Sequence, residues 1–195
     1  MNKGHRLWSV FKAIGLALTL GVSMSACGSG SEKWKEEVQL SDGRVIVVER
    51  ETIHERGGDE WALNRSGSKL KEIRIRFPSP IGLGQMIEWR STKTSPKTWP
   101  EKPLVLEVEK LQPTIYSLLA ISPSCEIYLK YVYRNDVWIE ERLPEKFEQR
   151  TTNLFIRDGV DMPKFVNLEA KRIGNAETGY RPSLLHVGPT RQICD

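Results

Sequence analysis

Glu126-Ile-Tyr-Leu-Lys-Tyr-Val-Tyr-Arg-Asn-Asp-Val-Trp-Ile-Glu-Glu-Arg142 is the stretch whose reading decides the fold. Ile127, Leu129, Tyr131 and Tyr133 recur at period two, so they share one face of an extended chain. Asn135-Asp136 supplies residue types that tolerate the left-handed backbone of a tight turn. Val137 and Ile139 lead the chain back, and Pro144 ends the run. The spacing predicts an antiparallel hairpin.

The same period extends outward in both directions. Trp34, Val38 and Leu40 alternate with Lys35, Glu37 and Gln39, then Ser41-Asp42-Gly43 turns the chain into the β-branched run holding Val45 and Val47. Ile73, Ile75 and Phe77 alternate with Glu72, Arg74 and Arg76 and stop at Pro78. Met86 to Arg90 is a shorter strand candidate inside a loop-like stretch from Gly82 to Lys102. Leu104, Leu106 and Val108 alternate with Val105, Glu107 and Glu109, and Tyr116 to Ile121 is a continuous apolar run that suits a central buried strand. Helical spacing occurs only around Pro163 to Ile173, through Phe165, Leu168 and Ile173, with Gly174 expected as the stop. Residues 174–192 read as loop. The expectation is a mainly β fold, an antiparallel sandwich or partly open barrel with a short C-terminal helix.

The first residues of the chain read differently. Lys3 and Arg6 precede an apolar run from Ala13, and Met24-Ser25-Ala26 leads into Cys27. Only fourteen residues separate Lys12 from Cys27, with Gly15, Gly21, Ser23 and Ser25 among them, which is short of the roughly 20 apolar residues of a membrane span. The segment has export-signal form. An ordinary secretory signal is the competing reading. The run into Cys27 resembles the lipobox of bacterial lipoproteins, with Met24 in place of the usual Leu-like residue. That resemblance implies acyl chains on Cys27, a partner membrane, and, because Gly28 and not Asp follows, an outer-membrane location facing the periplasm. Gly28-Ser29-Gly30-Ser31 reads as a flexible tether. The organisation expected is a signal peptide over 1–26, an acylated cysteine and tether over 27–32, and a single β-rich periplasmic domain over 33–195.

Composition narrows the function classes. Removing residues 1–26 takes away three basic residues and no acids, so 26 cations face 25 anions in the remaining 169 residues, a net charge of +1. Charges are interleaved along the chain, which argues against a nucleic-acid partner. Apart from Cys27 the cysteines are Cys125 and Cys194. In an oxidising compartment they are expected to pair, closing about 70 residues for roughly 4 kcal/mol in the chain-entropy model; two buried free thiols are the alternative. No Cys-x-x-Cys is present.

Trp34-Lys-Glu-Glu-Val-Gln-Leu-Ser-Asp-Gly-Arg44, with Ile46-Val-Val-Glu-Arg50 and the later Cys125-Glu-Ile-Tyr-Leu-Lys-Tyr131 near Trp138, is similar to segments of uncharacterised proteobacterial lipoproteins. The resemblance covers about a third of the mature chain and implies no activity. Arg56-Gly57-Gly58-Asp59-Glu60-Trp61 resembles the Gly-Gly-Asp-Glu-Phe signature of diguanylate cyclases. Those enzymes need a larger α/β unit before the motif and cytoplasmic GTP, so a glycine-rich turn is the reading here.

No catalytic residues, metal ligands or cofactor emerge. His54 and His186 lie 132 residues apart and neither sits in a ligand-spaced cluster. Asp158-Gly159-Val160-Asp161 lacks the oxygen spacing of a calcium loop and reads as a turn. Trp99, between Thr98 and Pro100 in a polar loop, is the candidate ligand contact, set against simple packing over one end of the fold. The function expected is a lipid-anchored binding or structural module, with envelope proteins or peptidoglycan as partners. A small periplasmic hydrolase built around a histidine and an immunity-type inhibitor are the alternatives.

Overall fold

In a computed structural model, the structure describes residues 30–56, 68–82, 84–95, 99–122, 125–143, 150–157, 162–177 and 186–187. The motif at 57–61, Asp158 to Asp161, Cys27 and Cys194 fall outside them. Strand pairing follows the period-two pattern. Strands β1 (Gly30–Gln39), β2 (Val45–Arg56), β3 (Ser68–Pro78) and β4 (Met86–Arg90) form an antiparallel meander. Strands β5 (Lys102–Glu109), β6 (Gln112–Ser122), β7 (Cys125–Arg134) and β8 (Val137–Glu141) form a second one. The fold is mainly β, and its sheets do not close into a barrel.

Short elements complete the edges. After β9 (Arg150–Thr151), β10 (Phe165–Val166) adds in parallel to β1. The helix α1 (Leu168–Glu177) follows, and β11 (His186–Val187) pairs with β9. Strand β1 begins at Gly30, inside the stretch read as tether, with Gly30 opposite His54.

The inward positions of both sheets meet in one core. Val38, Val48, Ile75, Phe77 and Trp89 from the first sheet pack on Leu106, Ile115, Leu119 and Tyr131 from the second. Trp89 meets Tyr131 edge-on at 5.8 Å, and Phe77 meets Trp138 at 6.4 Å. Each such large apolar side chain contributes about 1.5–3 kcal/mol by leaving water. The interior strand β6 is buried from Pro113 to Leu119 on both faces, because Tyr116 and Leu118 pack outward against Leu104, Leu143 and Ile156.

Two turns show what the backbone demands. Asn135 and Asp136 both adopt positive φ (49° and 62°), the conformation anticipated for the β7–β8 hairpin. The β5–β6 turn uses the same conformation at Lys110 and Leu111 (49° and 65°), residues with no preference for it. The cross-strand pairing of buried strands imposes that turn.

The helix corrects the expectation around Pro163 to Ile173. It starts at Leu168, with the Asn167 side chain accepting from the Ala170 amide at 2.8 Å as an N-cap. It runs through Gly174, which is no stop: a Cβ there would lie 2.6 Å from the Phe155 ring, so glycine permits the close approach. Phe165 and Ile173, assigned to the apolar face by spacing, are exposed, while Lys171 and Asn175 are buried. This helix buries a polar stripe.

Candidate functional site

The two open sides of the sandwich are finished in opposite ways. Along the β1/β5 side, the Asn153 side chain stands in for a neighbouring strand. Its amide oxygen accepts from the Leu106 N–H at 2.9 Å, and its NH₂ donates to the carbonyls of Leu106 (2.7 Å) and Gln39 (3.0 Å). Asn175 repeats the device on Ile156 N–H and Leu154 carbonyl, both at 3.0 Å. Beneath them lies Glu36, which has no exposed surface. It pairs with Arg50 at 2.7 Å and Lys171 at 3.3 Å and accepts the Phe155 amide at 2.9 Å. Burial lowers the Lys171 pKa against the opposing pull of the Glu36 charge. Arg50 also stacks 5.3 Å above the Trp34 ring. This side is sealed.

The β4/β8 side is not. There the backbone carbonyl of Glu88 accepts from the Trp138 indole N–H at 2.7 Å, a bond across the gap between the sheets. Beside it opens a cleft of about 370 Å³ walled by Trp89, Tyr131 and Trp138, with Arg90, Thr92 and Glu140 at its rim. Lys93 and Glu140 pair at 2.8 Å and tie the loop after β4 to β8. Glu88 takes hydrogen bonds from both Arg76 and Arg90, and these outweigh the burial that would raise its pKa, so its carboxyl is held below the usual 4.5. The hydrogen bond from Lys130 holds Glu141 low in the same way.

Behind the cleft sits a second carboxylate with no exposed surface, Glu101. No cation pairs with it among the described residues. It accepts instead from the amides of Thr92 (2.9 Å) and Lys93 (3.1 Å), from Ser117 Oγ (2.6 Å) and from the Tyr131 hydroxyl (2.9 and 3.0 Å). Donors from two elements of chain and one loop converge on it, which is the arrangement that offsets the cost of burying a lone charge. Burial and the Glu101 charge raise the Tyr131 phenol, against a lowering hydrogen bond from Thr92, so the hydroxyl stays protonated and donates.

That carboxylate fastens the base of the loop carrying Trp99. Thr94 bridges Pro100, the Ser95 amide donates to the Trp99 carbonyl at 2.8 Å, and the Trp99 amide donates to Ser95 Oγ at 3.2 Å. Trp99 is 43% exposed where the chain returns to pair with Ser95. Sequence reasoning singled out Trp99 but missed Glu101, whose partners lie 8 to 30 residues away and leave no local signal.

The remaining expected residues separate. Cys125 is buried and disulfide-bonded, and the residue it joins lies outside the described ones. His54 pairs through β2 with Gly30 and Leu70, its side chain has no hydrogen bond or ion pair to another described residue, and only the backbone of His186 is described. No group of three or more His, Cys, Asp or Glu among the described residues is placed to share a metal ion. The cleft offers the half-buried Trp138 and a rim that carries Arg90 and Glu140. No protein-family model, no curated protein and no solved structure matches this chain.

Proposed function

We propose that this protein is a lipid-anchored envelope module that binds a peptidoglycan fragment in the cleft at the β4/β8 edge. The observation that carries the reading is the half-buried Trp138 at the cleft, backed by the buried rings of Trp89 and Tyr131, beside a rim bearing both charge signs, Arg90 and Glu140. Sugar rings present apolar C–H faces to aromatic surfaces and hydroxyls to charged side chains, and the peptide stems of peptidoglycan carry charges of both signs. The Glu101 carboxylate holds Thr92, which lines the cleft, in place before any ligand arrives, which lowers the ordering cost of binding. The lipobox-like run into Cys27 supports delivery to the compartment where that ligand is found.

Calorimetric titration with soluble muropeptides tests the reading. Binding by the wild type is expected, with a loss of about tenfold in Trp138→Phe, the scale of one lost interface anchor. Absence of heat with the wild type refutes it. Palmitate labelling tests the anchor separately: label must vanish in Cys27→Ser.

A further inference from the structure

The outward face of the first sheet carries a second feature, lined by other residues than the cleft and joined to it through the Arg76–Glu88 pair. Lys33, Lys35, Arg74, Arg76 and Lys164 line a concavity of about 340 Å³ on that face, with Glu49 and Glu51 among them. The charges are layered. Glu51 is only 10% exposed in its side chain and lies beneath Lys33 (64%), which it meets at 3.1 Å, while Arg74 and Arg76 approach the same carboxylate at 3.6 Å. Lys35, 58% exposed, meets Glu49, itself 43% exposed, at 3.2 Å. Arg74 and Arg76 are also paired with Glu72 and Glu88, so Lys33, Lys35 and Lys164 are the cations that reach furthest into solvent.

An exposed aromatic belongs to the same face. Phe165 on β10 pairs in register with Lys35, and Val166 pairs with Glu36. Val166 is buried as Glu36 is, whereas Phe165 is 50% exposed and so points outward with Lys35. A large apolar ring ringed by lysines is the pattern that inserts at a headgroup boundary.

Chain continuity says what this face would meet. Only Gly28 and Ser29 separate Cys27 from Gly30, the first residue of β1. Three residue steps span at most about 11 Å, so acyl chains on Cys27 would hold the start of β1 against the bilayer. Lys33 follows three residues into that strand, and Lys35 five.

From this we infer that the outward face of the β10–β1–β2–β3 sheet docks on anionic lipid headgroups, with a phosphate in the concavity among Lys33, Lys35, Lys164, Arg74 and Arg76 and Phe165 at the acyl boundary. The inference rests on the lipid-anchor reading for its orientation, and its chemistry stands on the face itself. Docking turns a tethered domain into an oriented one.

Full-length wild-type protein, mixed with vesicles of phosphatidylcholine alone or of equimolar phosphatidylcholine and phosphatidylglycerol, is pulsed with an acetylating reagent and read by peptide mass spectrometry. One lysine carried to an anionic surface strengthens association about fivefold, so acetylation of Lys33, Lys35 and Lys164 should fall by at least about that factor on the anionic vesicles. Lys110, exposed in the β5–β6 turn, should be unchanged. Lys33→Glu with Lys35→Glu, or Phe165→Ser on its own, should weaken the protection of Lys164; the exposure of all three side chains keeps these variants folded, as a melting curve on each verifies.

Equal acetylation on the two vesicle types overturns the inference. So does protection by soluble polyglutamate with none by vesicles, which would assign the face to an acidic polymer. The same spectra report the mass of the Cys27 peptide. Acyl groups on Cys27 with unprotected lysines refute the docking face and leave the anchor intact, whereas protected lysines on a chain without acyl groups sustain the face and refute the anchor.

Discussion

The β1/β5 side and the β4/β8 side of the sandwich each bury a carboxylate completely, and they neutralise it by different chemistry. Glu36 is held by two buried cations, Arg50 and Lys171, on a side closed by the amides of Asn153 and Asn175. Glu101 is held by amide and hydroxyl donors, on a side bridged across the gap by the Trp138 indole. An ion pair fastens one element to another through charges that cannot be removed singly without leaving the partner buried and bare. A carboxylate caged by neutral donors orders its surroundings at a smaller cost on neutralisation. The difference suits their settings: the first side joins sheet to helix, and the second positions a loop beside a cleft.

The largest expected effect tests the first half of this contrast. Glu36→Gln strands Arg50 and Lys171 in the interior and should cost about 3–5 kcal/mol in urea unfolding. A loss under 1 kcal/mol would mean that the cations relax to solvent and that the cluster does not seal this side. Asn153→Ala comes next, at about 2–3 kcal/mol, because it leaves the Leu106 N–H and carbonyl without their side-chain partner at a buried strand edge. Measurement by the same unfolding curves, with Asn153→Asp as the comparison, separates the acceptor role from the donor role.

Glu101→Gln should cost only about 1 kcal/mol, since the amide oxygen still accepts from Thr92 and Lys93 and the Ser117 and Tyr131 hydroxyls can accept in turn. A cost equal to that of Glu36→Gln would erase the distinction between the two sides. The smallest effect is one of pH. Glu88 and Glu141 both have folded pKa values below the ordinary 4.5, so they contribute stability above pH 4.5 that is lost as pH falls through their folded values. Both lie on the β4/β8 side. Amide exchange in β4 and β8 should therefore rise in acid before exchange in β1, and Glu88→Gln should flatten that rise.

Much of the fold could be read from periodicity because each strand declares its own faces. Ile73, Ile75 and Phe77 had to be inward together, and β3 ends at Pro78 as its ring requires. The same rule, applied strictly, would have placed Glu36 inward between Trp34 and Val38, and Arg50 inward beside Val48, where the structure has them. Their charge concealed what their position declared. The helix failed for the complementary reason: spacing put Phe165 and Ile173 on an apolar face, but the surface awaiting the helix offered the carbonyls of Glu37 and Asn153, so Lys171 turned inward. In the loop after β4, Trp99 was legible as an aromatic with no strand face to hide on. Glu101 was not, because nothing adjacent distinguishes it from a solvated acid.

The chain by itself therefore determined the strand content and the tight turns at Gly43 and Asn135-Asp136. These follow from local rules: alternation, backbone freedom and apolar run length. Tertiary structure alone decided which charges are buried, which edge of the sandwich is sealed and which stays open. A buried carboxylate takes its partners from wherever the fold brings donors, 119 residues away for Glu36 and Phe155, and no local pattern can encode a neighbour that distant.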